Sequence, residues 1–405
     1  MSYNGKVLFG DESLFSLKSE NTNNPLAIKD ASYLDNAATT APCPEALAAM
    51  AEALQFNWGN PSSPHEHGYR AERLLEESRQ TIASALNCKS EELYFTSGGT
   101  ESNNIAVFGA ARALKRRGKR IVVSGIEHSS VGDAAKALQE EGFELLVLEP
   151  DSSGIIPLNR LEEAIDAKTV LVSLMTANNE TGAIQPIEKV RALVEAAQAP
   201  ALIHTDAVQT FGKMRLSPQK LGVDLMSVSA HKLHGPKGVG ALYVKKGLKL
   251  PSLFFGGSQE GRLRPGTQPL PAIAGFAAAV KALPDPESEA ARQATLRARL
   301  TESLVELDGL HINSPENALP GLINFSLIGY FSDHIINHLS GLKVYISGGS
   351  ACAKGEKSKV LAQMGLSQEL IKSAVRVSFS RFTQNRDIDN LLEGLKSVKE
   401  NLLKY

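Results

Sequence analysis

From Arg120 to Thr205 the chain alternates short apolar runs with longer amphipathic ones, and this alternation restricts the fold more than any other feature. Strands are expected at 121–124, 145–148, 170–175 and 202–205, with helices at 131–141, 161–166 and 187–197 between them. The strand runs, such as Ile121-Val-Val123, are continuously apolar, as strands covered on both faces must be. The expectation is an α/β fold whose mostly parallel sheet is covered by helices on both faces. Upstream, a buried strand is expected at 93–96. Helices are expected at 43–56, with Leu47, Met50 and Leu54 on one face, and at 69–86, with Leu74, Leu75, Ile82 and Leu86 turned inward.

At 405 residues the chain exceeds one ordinary core and suggests two domains. A formal charge of −1, with both signs mixed along the chain, provides neither a basic stripe for nucleic acid nor a polybasic membrane patch. Small molecules and proteins are the expected partners. Three scattered cysteines, Cys43, Cys88 and Cys352, make no disulfide framework and fit a reducing compartment. No apolar run reaches the roughly 18 residues of a membrane span, and the first thirty residues lack a secretory core. Asp11, Glu12 and Glu20 argue against a transit peptide, so the expected location is cytoplasmic.

The polar residues with chemical potential cluster just after strands. Ser97-Gly-Gly-Thr-Glu-Ser-Asn103 turns a strand into a helix, an arrangement that offers backbone N–H groups to an anion and equally describes a helix cap with turn glycines. Ile126-Glu-His128-Ser129, Thr176 to Gly182, and His204 to Gln209 occupy similar places, and each alone fits a cap or turn. Together with Ser229 to Lys232 they face one crevice, where open α/β sheets hold ligands. Lys232 stands before a tight loop containing Gly235, Pro236, Gly238 and Gly240. It is the candidate amine for a Schiff base with an aldehyde cofactor, although a solvated loop carries such lysines too. Cys352 has glycines on both sides and Lys354 nearby to favour a thiolate, whereas Cys43 and Cys88 read as packing. His65 and His67 lack a third ligand in sequence and read as hydrogen-bonded loop histidines rather than a metal site.

Seven segments taken together resemble the cysteine desulfurases, pyridoxal phosphate (PLP) enzymes related to the class V aminotransferases. These are Asp206-Ala-Val-Gln209, Ser229-Ala-His231-Lys232, Gly235-Pro-Lys-Gly238, Ser97-Gly-Gly-Thr-Glu101, Asn178-Asn-Glu-Thr-Gly182, Arg264-Pro-Gly-Thr267 and Gly348-Gly-Ser-Ala-Cys352. The resemblance runs from about Tyr33 to the end. It implies the PLP-dependent transferase fold type I: an arm at 1–31, a large cofactor-binding domain at 32–262 and a smaller α+β domain at 263–405. In the last, helices are expected at 269–283 and 287–305, with strands at 321–327 and 375–379.

By the same resemblance Lys232 is the Schiff-base lysine, Asp206 pairs with the pyridine nitrogen, Gln209 bonds the ring hydroxyl, and His128 stacks on the ring with a possible proton-transfer role. Thr100, Ser229 and His231 resemble phosphate ligands, with Gly99 beside them. Thr267 resembles the residue that reaches the phosphate from a neighbouring subunit, implying a homodimer. Arg376 matches the arginine for the substrate carboxylate, with Asn179 and Asn36 also on the substrate side; Arg381 has the chemistry but not the motif position.

The implied reaction releases alanine from L-cysteine. Lys232 removes the α-proton, PLP stores the electrons, and the Cys352 thiolate takes the sulfur as a persulfide for a sulfur-acceptor protein in iron–sulfur cluster or other thio-cofactor synthesis. Selenocysteine lyase or another C–S lyase is the alternative, and a non-catalytic sulfur carrier is disfavoured by Lys232, Asp206 and His128. Against housekeeping members of the family, the segment after Cys352 is slightly short and the chain ends at Tyr405 without their carboxyl-terminal tail.

Overall fold

A computed structural model of the protein describes residues 31–348 and 358–405. The arm up to residue 30 and Cys352 with its neighbours lie outside the described residues. Among the described residues twelve strands are formed: β1 (Ser32–Tyr33), β2 (Leu93–Thr96), β3 (Arg120–Ser124), β4 (Glu144–Leu148), β5 (Thr169–Ser173), β6 (Leu202–Asp206), β7 (Leu225–Ser229), β8 (Gly240–Val244), β9 (Leu310–Ile312), β10 (Leu322–Leu327), β11 (Val344–Tyr345) and β12 (Ala374–Ser378).

Seven of them make one sheet in the order β2-β8-β7-β6-β5-β3-β4. The pairs from β4 to β7 are parallel, and β8 runs against both of its neighbours, so six strands point one way. Because side chains alternate across a strand, the apolar runs feed two cores. Val122, Val172, Ile203, Met226 and Val228 pack on one face beneath the helices Glu66–Ala85 and Ile187–Ala196. Ile121, Val123, Leu171, Leu225 and Leu242 pack on the other with Ile105, Ala106 and Ala110 of the helix Gly99–Leu114. From β3 the chain steps outward to β4 and then returns across β3 to β5. The loops leaving β3 and β5 therefore part, and a crevice opens at the carboxyl edge between them.

A second unit is built on the antiparallel sheet β12-β10-β9 and the helices Pro286–Val305, Ser332–Gly341 and Asn385–Asn401, around a core of Ile323, Phe325, Val375, Val377, Leu391 and Leu395. Two segments join units other than those expected. β1 pairs with β11 and sends Leu34 into this second core. The helix Leu270–Lys281 packs into the first core through Ile273, Phe276 and Val280. It lies so near the helix Pro44–Phe56 that a Cβ on Gly275 would come within 2.6 Å of Met50 Cγ. Although Leu47, Met50 and Leu54 share a face, the helix buries Ala46 and Ala53 and leaves Leu47 and Leu54 exposed. Small side chains win here because they let two backbones close.

The loop histidines are occupied locally. His65 caps the helix Glu66–Ala85 by accepting from Gly68 N, and His67 stacks on Trp58. Among the described residues no helix is long and apolar enough to cross a membrane.

One ion pair fastens the segment before Leu270 to the large sheet. Arg79 donates to both oxygens of Glu260, at 2.8 and 2.9 Å, and the same carboxylate accepts from Phe95 N of β2 and Gln268 Nε2. The Glu260 side chain is 1% exposed. Removing the guanidinium would leave a buried carboxylate without its counter-charge. Arg79→Leu is expected to lower unfolding free energy by about 3–5 kcal/mol, read from the urea midpoint.

Candidate active site

The carboxyl edge of the sheet is crossed by the stretch from Asp35 to Thr40. Asn36 Nδ2 donates to the carbonyls of Tyr33 and Ser378, and Ala37 N donates to Ser378 Oγ, so one end is fixed to β12 of the second unit. At the other end Thr40 donates twice to the His231 carbonyl and accepts from His234 N. The carbonyls between them face the first unit. Lys232, in the single turn Ala230–Lys232 that follows β7, donates from Nζ to Ala37 O at 2.5 Å and Ala38 O at 2.8 Å. Gln209 Nε2 also donates to Ala37 O, while its buried Oε1 has no partner.

Asp206 closes β6 with its carboxylate buried. Oδ1 accepts from Val208 N at 2.9 Å and Oδ2 from Asn103 Nδ2 at 2.7 Å. Beside it, the turn into the helix Gly99–Leu114 passes so close to the segment after Asp206 that a Cβ on Gly99 would meet Val208 Cγ2 at 2.7 Å. Gly98 adopts φ +152°, and Ser229 Oγ is buried without a partner. Thr100 is exposed at the helix start. His231 accepts or donates at Thr39 Oγ1, and burial together with Lys232 and Lys237 pushes its pKa down to about 4, so it stays neutral. A helix N-terminus and an unpartnered hydroxyl beside a residue without Cβ are chemistry suited to an anion such as a phosphate. Arg264 ties into it through Glu101 at 2.8 Å; Thr267, three residues on, is exposed.

His128 follows β3 and caps the helix Ser129–Glu140: Nδ1 receives Ser130 N at 3.2 Å and meets Ser130 Oγ at 2.8 Å. The preceding Glu127 is half-buried, with its Oε2 atom shielded from solvent. Its Oε1 accepts from Ser124 Oγ and Met175 N, and its Oε2 has no partner. Burial, with Asp206 adding repulsion, pushes its pKa from 4.5 up to about 8.

Arg376, on β12 and 1% exposed, reaches across the units. Nη1 donates to the carbonyl of Asn179 at 2.8 Å and Nη2 to Asp35 Oδ1 at 2.9 Å, while the buried Nε has no partner. Asn179 thus orients the guanidinium through its backbone, and Asn36 spends its amide on the crossing stretch. Arg381 turns elsewhere, donating to Ala282 O. The chain on either side of residues 349–357 is fastened to these same elements. Ser347 and Arg376 exchange backbone hydrogen bonds, and Ser358 Oγ donates to Glu180 Oε2 at 2.5 Å. Cys352 itself is outside the described residues.

Four participants were not singled out from sequence: Asp35, Asn103, Ser130 and Asn178. Asn178 accepts from Glu180 N and Thr181 N and donates to Ile126 O, holding the loops after β3 and β5 in register. Asn103 lies inside the stretch read as a strand-to-helix turn, where a polar residue signals nothing by itself. Glu127 has a measurable consequence. Below about pH 4.5 both folded and unfolded chains hold its proton; above that the unfolded chain releases it while the fold retains it up to about pH 8. Stability from this group is therefore lost as pH rises through that window. Glu127→Gln should gain urea resistance over the parent progressively from pH 5 to 8, and an equal offset at both ends would refute the assignment.

Residues 32–391 match the family described as aminotransferase class-V. The chain is 40% identical over 375 residues to the cysteine desulfurase IscS of Dictyoglomus turgidum, covering 91% of this chain and 95% of that one. It is 38% identical to the cysteine desulfurase IscS of Methanosarcina thermophila, covering 91% and 92%. Among solved structures it superposes on a NifS-like protein with a TM-score of 0.87 at 37% identity, covering 92% of this chain and all of the other. With SspA in complex with cysteine the TM-score is 0.76 at 33% identity, covering 86% and 98%. Similarity sustained across both units, and not confined to the lysine turn, places the chain in the class-V aminotransferase family, among its cysteine desulfurases.

Proposed function

We propose that the chain is a PLP-dependent L-cysteine desulfurase that leaves its product sulfur on Cys352. The observation that carries this reading is that one short stretch holds both key cations: Lys232 on the carbonyls of Ala37 and Ala38, Arg376 on Asp35. A base and a carboxylate receptor are thereby set side by side, as an α-amino acid requires.

The residues fit the cofactor. Lys232 would anchor it, Asp206 would face its ring nitrogen, the free Gln209 Oε1 would accept from its ring hydroxyl, and His128 would lie against the ring. Gly99, Thr100, Ser229 and His231 would hold the phosphate, Ser229 with a hydroxyl that is buried and unpartnered. When bound, PLP supplies an electron sink that acidifies the substrate's α-hydrogen. Arg376 receives the carboxylate of L-cysteine with its guanidinium already aimed by Asn179 O and Asp35, so little ordering is left for binding. Lys232 Nζ, once released, takes the α-proton. The Cys352 thiolate attacks the substrate sulfur; the new S–S bond forms as the Cβ–S bond breaks, leaving a persulfide on Cys352, and protonation of the remaining carbon skeleton yields alanine. The persulfide then passes to a sulfur-acceptor protein. A homodimer is part of the reading, supported by the exposed Leu54, Phe56, Trp58 and Tyr69 and by an exposed Thr267 available to a neighbouring subunit.

Single turnover with L-cysteine and no reductant should give stoichiometric alanine and a persulfide on Cys352, both lost in Cys352→Ser. Equal alanine from both proteins, or pyruvate and ammonia, would instead favour the lyase alternative. Arg376→Lys, which keeps the charge and loses the fork, should raise KM for L-cysteine by about tenfold or more with a smaller change in kcat.

A further inference from the structure

Two side chains with no role in the scheme above join Asp206 to His128. Asn103, in the second turn of the helix Gly99–Leu114 and 1% exposed, donates from Nδ2 to Asp206 Oδ2 at 2.7 Å and to Ser130 Oγ at 2.9 Å. Ser130, in the first turn of the helix Ser129–Glu140, meets His128 Nδ1 through its hydroxyl at 2.8 Å and its backbone N at 3.2 Å.

The direction of each bond follows from the chemistry of the groups. A carboxylate only accepts, so the Asn103 amide must turn its NH2 toward Asp206; the flipped orientation would set Oδ1 against Oδ2. With the NH2 so placed, its second hydrogen goes to Ser130 Oγ. The Ser130 hydroxyl, accepting there, has its own hydrogen for His128 Nδ1. The backbone N–H of Ser130 arrives at the same nitrogen, and two donors leave Nδ1 without a proton. The imidazole proton therefore sits on Nε2. Asn103 Oδ1 is buried and unpartnered, so both donors are aimed at the expense of its own acceptor. Helix capping alone does not ask for this: the backbone N of Ser130 on Nδ1 suffices for a cap, with no need of the hydroxyl or of Asn103.

We infer that Asn103 and Ser130 are positioning residues for the reaction: a single relay orients the carboxylate that faces the cofactor's ring nitrogen and fixes His128 as the Nε2–H tautomer, a proton donor toward cofactor and substrate. The inference rests on the roles given above to Asp206 and His128.

The test starts without cofactor. In ¹⁵N NMR of the imidazoles, the ligand-free parent should show His128 protonated at Nε2, with Nδ1 carrying the shift of a hydrogen-bonded acceptor. In Ser130→Ala the Nδ1 resonance should move toward that of an unbonded nitrogen, and Ser130→Thr should restore it. Asn103→Leu should move the same resonance and also, in the PLP-loaded protein, displace the visible absorption band, because Asp206 loses a donor. With L-cysteine, Ser130→Ala should lose about tenfold in kcat with KM little changed, and Ser130→Thr should recover it. An Nδ1–H tautomer in the parent overturns the inference. So does an unchanged Nδ1 resonance in a folded Ser130→Ala protein with the parent's thermal midpoint. If the NMR pattern holds but the parent makes no alanine from L-cysteine, the desulfurase reading fails and the relay stands.

Discussion

The structure depends on the hydrogen bonds that hold the stretch from Asp35 to Thr40 against both units. Each unit has a core of its own, and a core is non-directional: it brings surfaces together without fixing the placement of two side chains across a crevice. Direction comes from backbone carbonyls aimed at Lys232 and from the carboxylate aimed at Arg376. Because β1 pairs with β11 and Asn36 and Ala37 are bonded to Ser378 while Thr40 is bonded to the loop after β7, the stretch cannot shift without breaking bonds at one end. Geometry at the two cations is thus inherited from the docking of the units.

Around this stretch the sheet tolerates an unusual load of buried polarity. His204 of β6 spans Ser173 of β5 and Ser227 of β7 at 2.8 and 3.0 Å, and burial pushes its pKa down to about 3, so it serves as a neutral hydrogen-bonding bridge. One layer nearer the crevice come Asp206, Asn103, Ser130 and His128. In surroundings of low dielectric every satisfied bond is strengthened, and every unsatisfied atom carries a penalty. Three of the unpartnered atoms, Gln209 Oε1, Ser229 Oγ and Arg376 Nε, belong to residues proposed above to meet cofactor or substrate; others, among them Glu127 Oε2, Asn324 Nδ2 and Arg381 Nε, do not.

The parallel strands are legible in the sequence because a strand buried on both faces has no polar alternative; each expected run from Ile121 to Thr205 lies within a residue or two of a real one. The lysine turn, the phosphate-type turn and Arg376 are legible because their motifs are compact. What escapes is set by partners far along the chain. The helix Leu270–Lys281 reads from sequence only as a helix, and its contact with Met50 and Ala46 assigns it to the first core. In the helix Pro44–Phe56 the large side chains show the helical period, whereas the residues it buries are Ala46 and Ala53. Asp35 and Ser130 carry no local signal, since their meaning lies in Arg376 and His128.

The pairing of β1 with β11 also has a consequence for biogenesis. Ser32 finds its strand partner only at Val344, and β2 finds its own at β8, more than a hundred residues later. Contacts so distant in sequence form late, after the local helices and the parallel strands have collapsed. During synthesis from the amino terminus, the large sheet can be complete while the segment leading to Asp35 still lacks the strand it docks on. The carbonyls that accept from Lys232 are therefore fixed from the Ser378 side only after β11 and β12 have emerged, so their final placement is among the last events of synthesis.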